Sequence, residues 1–134
     1  MFDSVKDSGV RQEFSTGSVR DSQDGKGRYD LMPFIAMERL ARHYENGAKK
    51  YGDHNWRKGQ PLGRYFSSAM RHMIKWMMGW KDEDHLAAAA WNILCIIETE
   101  EMIRVGILPE QLDDRYTQLS EYTERKYKIT TLGG

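Results

Sequence analysis

Glu38 and Glu45 stand seven positions apart, two turns along one face of a helix. Two carboxylates projecting side by side could hold Mg2+ through oxygen ligands. The same spacing has a plainer use, since Glu38 with Arg42 and Glu45 with Lys49 are i,i+4 pairs in the orientation that favours surface ion pairing. Next comes the stretch Lys49-Lys50-Tyr51-Gly52-Asp53-His54-Asn55-Trp56-Arg57-Lys58. Cations beside a glycine turn can receive phosphates, and the indole of Trp56 offers a flat face to a base. Asn55 both donates and accepts, which suits a purine edge. The alternative is a solvated loop with Trp56 folded onto the core.

A third set joins Arg71 and His72 to Asp84, His85 and Asn92. His85 and Asn92, seven apart, share a helix face, and antiparallel packing would bring Arg71 and His72 towards it. An arginine there could clamp a phosphate in two places. A histidine could ligate a metal or move a proton. In the plainer account Asp84 caps its helix and the polar side chains satisfy one another. Asn92, within an otherwise apolar run, requires a partner in either case. The chain carries no Walker-type Gly-Lys-Ser, GxSxG, HExxH or paired-cysteine motif.

The elements that must position these groups are helices. From Pro33, which suits the start of a helix, Met37, Leu40, Ala41, Tyr44, Ala48 and Tyr51 recur at steps of three and four. Gly47 interrupts that helix and suggests a close approach there, and Gly52 ends it. A second helix is expected from about Leu62 to Met78. Leu62, Tyr65, Phe66, Ala69, Met70, Met73, Trp76 and Met77 form its broad apolar face, with Ser68, Arg71, His72 and Lys75 opposite. A third, from about Asp84 to Val105, is apolar nearly all round from Leu86 to Ile97, as a central helix would be. Pro109 opens a shorter helix with Leu112, Tyr116 and Leu119. The expectation is an all-α, four-helix-type bundle. Residues 1–28, poor in apolar side chains, read as a flexible arm, 29–126 as the helical catalytic domain and 127–134 as a tail. Apolar residues on two faces of helix two suggest a subunit interface.

Composition narrows the partners. Twenty basic and twenty acidic residues balance, so no global field draws the chain to nucleic acid or to an anionic membrane. A nucleic-acid contact through the Lys49–Lys58 loop is disfavoured on that ground. The single cysteine, Cys95, leaves no internal disulfide and reads as a small buried hydrophobe. With no leader-like or membrane-spanning stretch, the expected location is the cytoplasm, which would be the host's if the resemblance set out next extends to a phage source.

The order of the pieces resembles a known family. Arg28-Tyr29-Asp30-Leu31-x-Pro33 is followed by Gly47-Ala48-Lys49-Lys50-Tyr51-Gly52-Asp53-x-Asn55-Trp56-x-Lys58-Gly59. Arg71-His72, His85-Leu86-Ala87 and Trp91-Asn92 complete the set. This arrangement resembles the phage and bacterial dATP/dGTP diphosphohydrolases, including MazZ-type proteins, which are related to the MazG-like all-α pyrophosphohydrolases. The resemblance implies hydrolysis of a purine deoxynucleoside triphosphate, dGTP or dATP, to the monophosphate and pyrophosphate. It also implies Mg2+ or Mn2+ and a homodimer or homotetramer with sites near subunit contacts. MazG-like enzymes hold metal through acid pairs on facing helices. Here Ser68, Arg71 and His72 on helix two, with Ala89 and Asn92 on helix three, stand where such acids would be. The acids must then come from elsewhere: Glu38, Glu45, Asp82, Asp84, or Glu98 further along helix three. The expected site has Glu38, Asp84 and His85 as catalytic residues and Glu38, Glu45 and Asp84 on the metal. Lys49, Lys50, Asn55, Trp56, Arg71, His72 and Asn92 would hold substrate. The competing reading is a non-catalytic helical module that binds a nucleotide or a protein partner.

Overall fold

The computed structural model describes residues 4–116 and 121–128. They fall into two compact units, one ending at Phe34 and the other starting at Ile35.

Within the segment expected to be a flexible arm, β1 (Arg11–Glu13) and β2 (Val19–Asp21) pair as an antiparallel hairpin, Gln12 opposite Arg20. Gly17 closes the turn at a φ of 85°, a conformation open to a residue without Cβ. The Asp21 carboxylate accepts from the Ser8 hydroxyl and from Lys26. These bonds hold its pKa down at about 2. Strands of three residues with no buried face leave no alternating pattern, so the hairpin is invisible to a periodicity argument.

The long helices are α1 (Phe34–Tyr51), α2 (Leu62–Met77) and α3 (His85–Arg104). His72 meets His85 near the connection and Tyr65 meets Trp91 further from it, so α2 and α3 run antiparallel. Their contact is the core. Leu62, Tyr65, Ala69 and His72 form the buried row of α2, and His85, Ala88, Asn92, Cys95 and Thr99 that of α3. Small side chains at Ala87, Ala88 and Ala89 let the helices approach closely. The apolar pattern puts His72 on the polar side of helix two, whereas in the structure it lies on the buried row. The reason is that α2 carries two apolar rows and one is covered. The other, Phe66, Met70, Met73 and Met77, is exposed.

Helix α1 buries no residue fully. Its inward row is Leu40, His43, Tyr44, Gly47 and Ala48, all half-buried at helical spacing. His43 and Tyr44 of this row meet Trp91, whose ring lies 6.1 Å from His43, 6.3 Å from Tyr44 and 6.2 Å from Tyr65 of α2. Offset and edge-on aromatic contacts at such distances are favourable. One indole therefore joins all three helices.

The helix expected from Pro109 is instead a single 3-10 turn, Glu110–Leu112. Tyr116 lies in irregular chain, and Leu119 lies outside the described residues. What pulls this chain out of helix is a task elsewhere. The Asp114 carboxylate accepts the Gly63 N–H at 2.7 Å, capping the first turn of α2, which Pro61 cannot cap. The turn packs back on the 52–61 loop at Gly59, where φ is 85°. A Cβ there would meet Leu112 at 2.8 Å and Leu108 at 3.1 Å. Helix returns at 121–128. The architecture is all-α, with a small hairpin ahead of it.

Candidate functional site

Helix α1, the 52–61 loop, α2 and the start of α3 enclose an open cleft of about 1120 Å³. Small-molecule sites usually occupy roughly 300–1,000 Å³, so there is room for a nucleotide with hydrated ions. Three of the chain's four histidines, His43, His54 and His72, line it, and the fourth, His85, bonds to His72.

The charges on its walls are arranged differently from those elsewhere. Seven of the eleven arginines are held in ion pairs with carboxylates. Of the four with no acidic partner among the described residues, Arg57, Arg64 and Arg71 line the cleft. Arg64, Ser68 and Arg71 follow at i, i+4 and i+7, one row of α2 facing the opening. Lys50 joins them from α1. The acids present are Glu45, Asp53, Glu83 and Asp84. Arg57 also lies over the Trp56 ring, 5.3 Å from its centroid. Guanidinium groups without an acidic partner, beside carboxylates, can bind phosphate oxygens while the acids serve a metal or a proton.

Of the residues the sequence singles out, Glu45, Lys50, Asn55, Trp56, Arg71, His72, Asp84 and Asn92 are brought onto this cleft. Glu38, Lys49 and His85 are not part of its wall. Glu38 pairs with Arg42 at 2.9 Å, both largely exposed, which is the plainer use of that spacing. Asp84 accepts from the Ala87 N–H at 3.1 Å as the cap of α3, and takes Arg39 in a bidentate pair at 2.6 Å. The Arg39 guanidinium, ahead of the capping bond, lowers its pKa. Asn92 is buried and donates to the Ala88 carbonyl at 2.9 Å, the partner it required. At Gly47 the expected close approach is absent. A Cβ there would meet nothing within 4 Å, because the space beside it is the cleft itself.

Glu38, Glu45 and Asp84 do not come together as a ligand group. Among the described residues, the group of histidines and acids that does is His72, Glu83 and His85, one ligand atom of each lying within 4.8 Å of the others. Burial, with Arg71 adding to it, pushes the pKa of His72 down. Burial likewise lowers that of His43.

Sequence reasoning passed over His43, Arg64 and Glu83, and gave His54, named within the loop, no role of its own. Arg64 carried a signal, its i+4 and i+7 relation to Ser68 and Arg71. Glu83 stands between Asp82 and Asp84 in an acidic turn from which only its neighbours were singled out. His54 holds a left-handed backbone, φ 59° and ψ 22°. That is uncommon for a residue with a side chain, and such strain collects at functional sites.

The helices and this polar, cation- and acid-lined cleft define an all-α bundle of the MazG-like kind. A family model described as dATP/dGTP diphosphohydrolase, N-terminal, matches residues 16–115, and the chain belongs to that family. No curated protein and no solved structure matches the chain. No helix among the described residues is long and apolar enough to cross a membrane.

Proposed function

We propose that the chain hydrolyses a purine deoxynucleoside triphosphate, dGTP or dATP, between the α and β phosphates in this cleft. The supporting observation is that Arg57 on the loop and Arg64 and Arg71 on α2, all without acidic partners among the described residues, line this one cleft. In this reading Arg64, Arg71 and Lys50 bind the phosphate oxygens and stabilise the charge that builds in the transition state. Asn55 and Trp56, on the loop, receive the base. The oxygen of water bonds to the α phosphorus, the bond to the α–β bridging oxygen breaks, and pyrophosphate leaves. The water's proton passes to a carboxylate of the wall. Glu45, Glu83 and Asp84 are available, and Asp84 is already engaged by Arg39. A divalent metal, Mg2+ or Mn2+, would neutralise phosphate charge and activate the water.

The reading includes assembly with a second copy, as a homodimer or homotetramer. Phe66 is 60 % and Met77 78 % exposed on α2, and Ile93 and Ile97 are exposed on α3, a helix with no polar side among these positions. Neighbouring apolar rows of this extent on adjacent helices mark a protein contact surface.

The test is a panel of purine and pyrimidine deoxynucleoside and ribonucleoside triphosphates with Mg2+ or Mn2+, products resolved by chromatography. Monophosphate and pyrophosphate from dGTP or dATP, lost in Arg71→Ala, is the expected result. Tight nucleotide binding without turnover under any metal would replace the enzyme by the non-catalytic nucleotide-binding module.

A further inference from the structure

His72 and His85 place their Nδ1 atoms 3.0 Å apart in the buried seam between α2 and α3. Glu83 brings a carboxylate oxygen to 3.6 Å from the same His72 nitrogen. Two nitrogens each about 2.1 Å from an ion and at right angles to it are themselves about 3.0 Å apart. The separation is therefore that of two ligands on one ion as well as that of a hydrogen bond.

The surroundings supply what the first use needs. Asp82 accepts from Nε2 of His85 at 2.7 Å. A carboxylate only accepts, so Nε2 of His85 carries a proton, and in the neutral ring Nδ1 then offers a lone pair towards His72. A carboxylate orienting a ligating histidine through its other nitrogen is the usual outer support of a metal site. Glu83 and His72 both line the cleft, beside Arg71 and Asp84, so ligand positions not filled by protein open towards the phosphate-binding wall.

The geometry points to a metal site made by His72, Glu83 and His85, with Asp82 as its positioning residue. Two imidazoles and one carboxylate suit a first-row transition-metal dication better than Mg2+, which prefers an all-oxygen shell and keeps its waters. When bound, the ion would supply charge neutralisation and an activated water at the cleft. Its role in turnover rests on the diphosphohydrolase reading. Its binding does not.

The experiment titrates metal-free protein with Co2+, reading visible absorption, and measures Mn2+ and Mg2+ binding by equilibrium dialysis. One Co2+ per chain is expected, with a spectrum of nitrogen and oxygen ligands, and Mn2+ bound more tightly than Mg2+. Glu83 is half exposed, so Glu83→Gln leaves the fold intact by circular dichroism while weakening Co2+ at least tenfold. Asp82→Asn weakens it about 10–100-fold and shifts the absorption bands, a change that a merely structural residue would not cause. Unchanged Co2+ affinity in folded Glu83→Gln, or Mg2+ binding as tight as Mn2+, would overturn the site. A bound Co2+ with the expected spectrum and no nucleotide hydrolysis upholds the site and removes the diphosphohydrolase reading alone.

Discussion

Replacing Gly47 by alanine is expected to stabilise the protein and weaken nucleotide binding in the same stroke. Gly47 lies in the interior of α1 with ordinary helical backbone, and an added Cβ would find no atom within 4 Å. With no clash to set against it, the substitution gains the intrinsic helix propensity of alanine over glycine, about 1 kcal/mol. That is about a fivefold shift in the folding equilibrium, and roughly 3–6 °C in Tm for a chain of this size. The open space is the wall of the cleft. A methyl group placed there intrudes on whatever the cleft holds, so KM for dGTP should rise several-fold, the effect of about one misplaced methyl group. Chemical denaturation and steady-state kinetics at matched protein concentration read the two effects separately. A loss of stability would refute the packing argument, since it would mean the Cβ meets a neighbour. A gain in stability with unchanged KM would show that substrate does not reach this wall.

Gly59→Ala should behave in the opposite way and lose about 2 kcal/mol or more, because φ is 85° and the new Cβ would press on Leu112 and Leu108. A thermal melt equal to wild type would contradict it. Stability should fall as pH rises above about 9. The Cys95 thiol is pushed up by burial from 9.0 to about 12, and the Tyr44 and Tyr65 hydroxyls from 10.0 to about 12. The unfolded chain releases these protons first, so stability complete below pH 9 is lost progressively towards pH 12. A flat denaturation midpoint from pH 8.5 to 11 would argue that these groups are not sealed. If the proposed assembly uses the exposed α2 and α3 rows, Met73→Glu combined with Ile97→Glu should give a monomer by light scattering, while the helical circular dichroism of the chain persists. Unchanged mass would place the subunit contact elsewhere.

The three long helices were legible because their apolar steps follow the helical period and α3 is apolar nearly all round. Periodicity fails where one helix carries two apolar rows. On α2 the exposed Phe66–Met70–Met73–Met77 row outweighs the buried one, which sends His72 to the wrong side. The hairpin and the 3-10 turn at Glu110–Leu112 are too short for any period, and the turn depends on Asp114 capping a helix 51 residues away. For the site, residues in compact runs such as Asn55-Trp56 and Arg71-His72 could be singled out from type and spacing. Residues joined only by folding could not. Glu83 next to His72, and Arg39 on Asp84, are tertiary facts with no local signature.

The central claim is tested most directly by incubating metal-loaded protein with dGTP in 18O-labelled water and identifying the products. The account predicts dGMP and pyrophosphate in equal amounts, with one label per turnover incorporated and the reaction abolished in Arg71→Ala. Release of dGDP and inorganic phosphate, or no labelled product from a folded preparation, would contradict it.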